Sequence, residues 1–548
     1  MTLTVLSLAM MAAQVAASSK GTSHNTDPRV AIPLNDNWRF AKGDSKNAWE
    51  VNFDDSGWEK ACLPHTWNNL DGQDGGGDYY RGPGWYRKRI EIPKEYSGKR
   101  VFVRFGAAGM IADVYVNGKF VGEHRGGFAA FVFDITGFLS FEKSNVIAVR
   151  VDNTSPEVSD RFKIPPLSAD FTMDGGLYRT AELIVTNEIH VSLSDYASPG
   201  VYISQKKVSD DLAEISVMVR FANDTKKVQK VNARTSVYDA GERLVTESSD
   251  TVILAAEGPG DLVREMRIDR PHLWNGRTDP YLYKVVVSLY QDGRLLDEVE
   301  QPLGLRFYRV DPAGGFFLNG EPYKLHGVCL HEDKKDMGRA ITFEDRKQEM
   351  NYILDIGATV VRFAHYQYDQ EMYQLCDENG VVVWTEIPLV NQIDSSSAFV
   401  ENAGQQLKEL IRQNYNHPSV LFWGIFNEIL NVKGPDPTEL VEVLNALAKK
   451  EDSTRPTTSA ANMSDFPSAF LTDVLGLNKY FGWYEGRVQN LGPYLDQWHK
   501  EHPDRAIGLS EYGAGGSIFQ HEEDPKQPLP DGRNNPACDL RVQIVASE

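Results

Sequence analysis

From residue 310 onward the chain alternates short apolar strands with helix-length amphipathic segments, and few folds accept that pattern. Near-continuous apolar strands separated by helices are typical of a parallel sheet with both faces covered. Seven strand candidates predict a (β/α)8 barrel of the TIM type, with its active site at the carboxyl ends of the strands. The strand candidates are residues 324–328, 359–363, 381–384, 420–426, 457–459, 474–477 and 507–509, and the helix candidates are residues 343–354, 370–378, 405–413 and 439–449.

Two glutamates stand where such strands end. Glu428 follows the fourth candidate strand, and Glu511 follows the seventh. A carboxyl group at the mouth of a buried strand is costly to desolvate, so its pKa can move far from the usual value. Two carboxyls that face one cleft are the minimum equipment for cleaving a glycosidic bond. Either glutamate alone could equally be a satisfied strand-end residue.

The part of the chain before the barrel shows strand patterns. Residues 30–187 contain short period-two strands, and Asn117-Gly118 between two of them predicts a type I′ hairpin turn. This first region is predicted to be a β jelly-roll sandwich. Residues 188–308 contain about seven further strands and are predicted to form an immunoglobulin-like sandwich. Residues 309–548 are assigned to the barrel.

Composition and charge exclude several classes of function. The formal net charge of -20 argues against binding of nucleic acid or of an anionic membrane surface. After the first residues, no run reaches the roughly 18 apolar residues that a membrane span needs. The cysteines are far apart and predict buried free thiols rather than disulfides or a zinc site, and they are Cys62, Cys329, Cys376 and Cys538.

Residues 1–18 are apolar and end in small residues, which predicts a signal peptide and a secreted or periplasmic protein. The positively charged start of such a peptide is missing, so a frayed terminus with no export role is the alternative.

Several motifs occur in a fixed order along the chain. They are Leu-Pro-His-Thr-Trp-Asn at 63–68, Tyr-Arg-Gly-Pro-Gly-Trp-Tyr at 80–86, Phe-Leu-Asn-Gly-Glu-Pro at 317–322, His-Gly-Val-Cys-Leu-His-Glu at 326–332, Val-Arg-Phe-Ala-His-Tyr at 361–366 and Asn-His-Pro-Ser-Val at 416–420. With the three dissimilar domains, these motifs resemble the glycoside hydrolase family 2 enzymes, which include β-galactosidases, β-glucuronidases and β-mannosidases.

The resemblance implies a role for each carboxyl group and its neighbours. Glu428 would be the general acid/base and Glu511 the nucleophile of a retaining double displacement. Arg362 and Tyr480 would donate hydrogen bonds to the nucleophile, and Asn427 would contact the sugar 2-hydroxyl.

Other pocket residues follow from the same resemblance. His331 and His365 match histidines that line the sugar pocket. A metal pair is the alternative, although their spacing is not that of a zinc site. Trp384 and Trp483 could be sugar-stacking platforms or plain core residues. The sequence implies no metal and no cofactor, although members of the family use cations.

A segment at the end of the first domain predicts the identity of the sugar. Asp170 is expected to hydrogen-bond the galactose 4-hydroxyl, with a structural turn residue as the alternative. The leading prediction is therefore a retaining exo-β-glycosidase that hydrolyses terminal β-galactosides of an oligosaccharide or other glycoside. The rivals are a β-glucuronidase and an inactive carbohydrate-binding protein. A homo-oligomer is compatible with the sequence.

The resemblance holds to about residue 530 and then fails. We expect a premature or frameshifted end and a barrel whose first and seventh strands remain unpaired. Exposed strand edges favour aggregation.

Overall fold

A computed structural model of the chain describes residues 28–72, 76–431, 434–463 and 467–513. The predicted signal peptide and the segment after residue 531 lie outside these residues. In the described part of the chain, no helix is long and apolar enough to cross a membrane.

The first domain is a sandwich of two antiparallel sheets. One sheet has the strand order β1-β10-β5-β8, and the other has the order β3-β2-β4-β9-β6-β7. Apolar side chains of both sheets, such as Trp38, Val103 and Ile147, fill the space between them. The strands are β1 (Val30–Pro33), β2 (Trp38–Lys42), β3 (Glu59–Ala61), β4 (Pro83–Glu91), β5 (Arg100–Phe105), β6 (Ile111–Val116), β7 (Lys119–Arg125), β8 (Phe131–Asp134), β9 (Ser144–Asp152) and β10 (Ala181–Thr186).

The hairpin between β6 and β7 has the predicted turn. Asn117 and Gly118 have φ angles of 51° and 78°, the two positive values that a type I′ turn requires.

The second domain is a smaller sandwich. In its first sheet, β13 pairs with β11, β12 and β16, and the second sheet has the order β15-β14-β17-β18. A separate apolar core lies between the sheets. The strands are β11 (Ile189–Val191), β12 (Val201–Val208), β13 (Leu212–Asn223), β14 (Gln229–Tyr238), β15 (Leu244–Leu254), β16 (Gly258–Asp269), β17 (Tyr283–Gln291) and β18 (Arg294–Leu303).

A three-stranded sheet covers the amino-terminal end of the barrel. It contains β19 (Tyr308–Asp311), β20 (Gly315–Leu318) and β21 (Glu321–Pro322). Phe316 packs there against Val382 and Phe422, which lie near the starts of two barrel strands. This end of the barrel is thereby closed, and the opposite end is left for a site.

The barrel is a curled parallel sheet of seven described strands, each paired with the next. The strands are β22 (Gly327–Leu330), β23 (Val360–Phe363), β24 (Val382–Glu386), β25 (Val420–Asn427), β26 (Thr457–Ala461), β27 (Val474–Asn478) and β28 (Ala506–Glu511). The helices are α1 (Phe343–Asp355), α2 (Gln370–Asn379), α3 (Ser397–Asn414), α4 (Thr438–Glu451) and α5 (Leu491–Glu501).

Local sequence sets several of these boundaries. Thr342 and Asp345 form a capping box at the start of α1. Gly380 ends α2 with a φ of 70°, a conformation that glycine adopts without strain. A side chain there would also collide with the carbonyl oxygen of Gly276, 2.0 Å from the position of a Cβ atom.

The two edges of the curled sheet approach each other. No β22–β28 ladder occurs among the described residues, but the Cys329 thiol of β22 donates to the carbonyl of Ser510 on β28, 3.1 Å away. Side chains of the first and seventh strands therefore reach one interior.

The predicted strands and helices are present, with three differences. The first strand lies at Gly327–Leu330 rather than at 324–328, because Gly327 permits a backbone approach that a Cβ atom 1.7 Å from the Val360 carbonyl oxygen would forbid. Helix α3 begins eight residues before the predicted start. Helix α5 was not predicted, because Gly492-Pro493 suggests a turn, although proline is well tolerated in a first helical turn.

The cysteine prediction is partly wrong. Cys62, Cys329 and Cys376 are free thiols, but only Cys376 among these three is buried. Among the described strands, Cys62 follows the edge strand β3 and Cys329 lies on the edge strand β22. Cys538 lies outside the described residues.

Candidate active site

The two predicted glutamates meet at the carboxyl end of the barrel. Glu428 directly follows β25, the fourth barrel strand, and Glu511 is the last residue of β28, the seventh. Because the strands are parallel and curl around one interior, their carboxyl ends open on the same side of the domain.

Glu428 has a backbone conformation that is rare for a residue with a side chain. Its φ is 53°, and its N–H donates to the carbonyl of Ala460 at 2.9 Å. Such strain persists where the surrounding structure imposes it, and it clusters at functional sites. Here β25 ends abruptly, and the turn directs the carboxyl group toward the strand ends.

The surroundings of Glu428 favour its neutral form. Its Oε1 accepts from Asn478 Nδ2 at 2.7 Å, and its Oε2 accepts from Asn462 Nδ2 at 3.2 Å. Burial raises the pKa of Glu428, and the carboxylates of Glu511 and Asp170 raise it further, against the lowering effect of Asn478. A raised pKa suits a group that must arrive protonated.

Glu511 has the opposite surroundings. Its Oε1 accepts from Arg362 Nη1 at 2.7 Å, and its Oε2 accepts from the Tyr480 hydroxyl at 2.5 Å. His365 Nε2 lies 3.6 Å from Oε1. Burial and the Glu511 charge raise the pKa of Tyr480 well above its usual range, so this hydroxyl stays protonated and donates. These are the partners of an ionised carboxylate.

A third carboxyl group, Glu386, lies beneath the pair and was missed in the sequence. It is fully buried and accepts from Arg362 Nε at 3.1 Å, Arg362 Nη2 at 2.8 Å and Trp384 Nε1 at 2.9 Å. His365 Nδ1 lies 2.6 Å from its Oε1. Burial would raise the pKa of Glu386, but Arg362 and His365 outweigh it and lower the value. Glu386 therefore fixes the direction of two predicted pocket residues.

Two asparagines link the glutamates. Asn427 Oδ1 accepts from Arg362 Nη2 at 2.9 Å and from Asn478 Nδ2 at 3.1 Å. Asn478 also contacts Glu428, and Arg362 also contacts Glu511, so one continuous hydrogen-bond chain joins the two carboxyls. Asn478 belongs to the Gly476–Tyr480 segment in which only the tyrosine was singled out.

The two predicted histidines are neighbours. Their ring centroids lie 5.7 Å apart, and His331 Nδ1 is 3.2 Å from the Tyr366 hydroxyl. Burial, His365 and Arg339 lower the pKa of His331 to about 4, so its ring is neutral near pH 7. Over the described ranges, these histidines belong to no cluster of three or more metal-ligating side chains.

The first domain contributes a loop, residues 170–179, to the pocket. Asp170 is exposed and lies close enough to raise the pKa of Glu428, and the Phe171 ring is 5.4 Å from His331. Asp174 accepts from the backbone N–H of Arg339 at 2.9 Å. Both domains therefore build the pocket.

A buried ion pair holds the end of this loop. Arg179 Nη2 donates to Glu332 Oε2 at 2.6 Å, and each side chain is 1% exposed. Arg339 stacks on Tyr366 of the barrel, 4.1 Å from its guanidinium carbon to the ring centroid, and donates to the Thr172 carbonyl of the loop at 3.0 Å. The loop is thereby fixed to the barrel at both ends.

The two tryptophans differ in position. Trp384 is half-buried under the Arg362 guanidinium at 5.2 Å and donates to Glu386, which gives it a supporting place in the barrel interior. Trp483 is half-buried beside Tyr484, with ring centroids 5.7 Å apart. Tyr484 in turn lies 5.4 Å from Tyr480, so Trp483 is connected to Glu511 through two tyrosines.

Comparisons with known proteins agree with this architecture. Family models of glycosyl hydrolases family 2 match residues 51–187 (sugar binding domain), 197–306 and 310–518 (TIM barrel domain). A β-glucuronidase of Bacteroides fragilis is 42% identical over 523 residues, which are 92% of this chain and 71% of that protein.

Two further relatives show the same similarity. A β-galactosidase of Thermoanaerobacter pseudethanolicus is 32% identical, with 84% of this chain and 59% of that protein covered. The structure of Bacteroides uniformis β-glucuronidase 2, covalently bound to cyclophellitol-6-carboxylate aziridine, has a TM-score of 0.87 and 35% identity, and the match covers 91% of this chain and 61% of that one. The chain thus spans about three fifths of these two relatives. It belongs to glycosyl hydrolases family 2.

Proposed function

We propose that the chain carries the catalytic centre of a retaining β-glycosidase, with Glu428 as acid/base and Glu511 as nucleophile. One observation carries the proposal: the two carboxyls of one pocket have opposite surroundings. Glu428 is partly buried and contacts two neutral amides, whereas Glu511 is held by a guanidinium and a phenol. A proton donor and an attacking anion need these two environments.

The reaction would proceed in two displacements. A carboxylate oxygen of Glu511 attacks the anomeric carbon, the glycosidic C–O bond breaks, and the leaving oxygen takes the proton of Glu428. In the second step Glu428 removes a proton from water, whose oxygen attacks the same carbon and releases Glu511. Asn427 would hydrogen-bond the sugar 2-hydroxyl, because it stands between Arg362 and Asn478 at the same strand ends.

The substrate class we propose is β-glucuronides rather than the β-galactosides expected from Asp170. Two of the three relatives described above are named β-glucuronidases, and one of them is covalently bound to a carboxylate-bearing compound. Asp170 does not distinguish the two sugars, because a carboxylate accepts from a hydroxyl group and both sugars carry one at C4. Because one relative is named β-galactosidase, β-galactosides are the alternative substrate class.

The test compares hydrolysis of a chromogenic aryl β-glucuronide with that of the matching β-galactoside. We expect faster turnover of the glucuronide and loss of turnover in the Glu428→Gln and Glu511→Gln variants. Glu371→Gln is the control, because this half-exposed glutamate pairs with Arg346 away from the pocket. Faster turnover of the galactoside would overturn the proposed sugar. Sugar binding without turnover would favour the carbohydrate-binding alternative.

The cellular location is a separate proposal. Residues 1–18 predict export, and fractionation of cells that express the whole chain would test it. Recovery from the cytoplasm with residues 1–18 still attached would contradict it.

A further inference from the structure

The two amides on the Glu428 carboxyl are held in different ways. Asn478 Nδ2 donates to Glu428 Oε1 and to Asn427 Oδ1, and its Oδ1 accepts from Ser510 Oγ at 2.6 Å. The side chain is 1% exposed. Reversing this amide would place its oxygen against two other oxygens, so its orientation is fixed.

Asn462 lacks such constraints. It directly follows β26, and its Nδ2 donates to Glu428 Oε2 at 3.2 Å. Its Oδ1 is buried and has no hydrogen-bond partner among the described residues. A buried oxygen without a hydrogen-bond partner destabilises the orientation that leaves it so. The oxygen and nitrogen ends of a carboxamide have almost the same shape, so a half-turn about the Cβ–Cγ bond exchanges an acceptor for a donor.

A retaining acid/base changes its protonation state twice in each turnover. As a carboxylate it accepts hydrogen bonds, and as a carboxylic acid it must also donate one. If each oxygen of the carboxyl group faced a fixed donor, the acid form would have no acceptor for its proton and would be destabilised. An amide that can reverse hydrogen-bonds to both the ionised form and the acid form.

We propose that Asn462 is a positioning residue whose amide follows the protonation state of Glu428. Its Nδ2 donates to the ionised carboxylate, and after a half-turn its Oδ1 accepts the proton of the acid. No proton passes to Asn462. In the first step a proton moves from Glu428 to the leaving oxygen, and in the second step a proton moves from water to Glu428. This inference rests on the proposed acid/base role of Glu428.

A reversible amide and a fixed donor differ in a measurable way. A fixed donor stabilises the ionised form alone, so its removal raises the pKa of the acid. This is the position of Asn478, which lowers the pKa of Glu428. A reversible amide stabilises both forms, so its removal slows the reaction and leaves the pKa unchanged.

Kinetics of Asn462→Leu and Asn478→Leu test this difference, because leucine keeps the shape of asparagine without its polar atoms. The measurement is the pH dependence of kcat/KM for an aryl β-glucuronide, whose alkaline limb reports the pKa of the acid in the free enzyme. For N462L we expect kcat/KM to fall about tenfold, the order of one lost hydrogen bond to a charged group, with the midpoint of the limb unchanged. For N478L we expect the midpoint to move to higher pH. A shifted midpoint in N462L, or an unchanged rate, would overturn the proposal.

Neutron diffraction gives a readout that needs neither turnover nor a substitution, because nitrogen and oxygen scatter neutrons differently. Crystals of the unmodified chain would be measured on the acid and the alkaline side of the Glu428 titration. We expect Oδ1 of Asn462 to face Glu428 on the acid side and Nδ2 to face it on the alkaline side. One orientation in both would overturn the proposal. A chain without glycosidase activity would overturn the proposed function but leave this measurement interpretable.

Discussion

Replacement of Glu386 by glutamine tests how the pocket is held together. The carboxylate is fully buried and meets four donor atoms, two on Arg362 and one each on His365 and Trp384. Glutamine keeps the shape but has one acceptor oxygen, so its NH2 group must face two of these donors.

The expected loss follows from that count. Two hydrogen bonds that involve a charged group are lost, each worth about 1.5–3 kcal/mol. Breaking a buried ion pair from one side costs about 3–5 kcal/mol, which agrees with the sum. We therefore expect E386Q to lower the free energy of unfolding by about 4 kcal/mol. Because the guanidinium of Arg362 also positions Glu511, we expect kcat/KM to fall about a hundredfold.

Urea unfolding followed by tryptophan fluorescence would measure the loss, with Glu371→Gln as the matched control. Glu371 also pairs with an arginine, Arg346, at 3.0 Å, but its side chain is 39% exposed. Arg346 is 4% exposed, but it keeps Glu332 and Asp369 as partners when Glu371 is replaced, so the control should lose less than E386Q. A loss of unfolding free energy below about 1 kcal/mol in E386Q, or equal losses in both variants, would refute the reasoning. Burial of the carboxylate would then not determine how much stability is lost when it is replaced.

Three further predictions concern other parts of the barrel. Burial and Glu332 raise the pKa of Glu349 to about 7. A glutamate in the unfolded chain titrates near pH ~4.3, so below that pH Glu349 is protonated in both states and the folded state bears no cost. As the pH rises toward 7, the folded state keeps Glu349 protonated while the unfolded state releases the proton, so the free energy of unfolding falls. Urea unfolding should then find E349Q up to about 4 kcal/mol more stable than the unmodified chain at alkaline pH and equally stable near pH ~4. Tyr480→Phe removes one of the donors to Glu511 and should lower kcat by about 10–100-fold, and an unchanged kcat would show that the hydroxyl does not act in the reaction. Arg179→Met leaves Glu332 buried without this partner and should lower the free energy of unfolding by about 3–5 kcal/mol, with faster proteolysis between the first domain and the barrel; wild-type proteolysis rates would contradict the interpretation.

Sequence patterns predict much of the fold because strands of a covered parallel sheet are apolar along their whole length. Glu428 and Glu511 are visible for the same reason, since each interrupts an apolar run. Glu386 carries that same signal at the end of β24 and could have been found by it. The apolar pattern alone does not distinguish these three glutamates, because the distinction depends on which arginine and amide side chains reach each carboxyl group. The expected roles of Glu428 and Glu511 came from the family resemblance.

The ion pair between the first domain and the barrel could not be predicted from the sequence. Arg179 and Glu332 are unremarkable charged residues in their own segments, and only the fold brings them together. The contrast between Asn462 and Asn478 has the same origin. Both are asparagines at strand ends, and Asn478 alone has contacts to Asn427 and Ser510 that fix the orientation of its amide.

The loop of residues 170–179 affects the order in which the site can form. On the ribosome the first domain emerges early and can fold as a unit, whereas Glu511 emerges near the end of the described chain. Asp170 and Phe171 can therefore already belong to a folded sandwich before the last barrel strand is synthesised. The pocket is completed late, and a nascent chain released before β28 would have the loop and Glu428 but not Glu511.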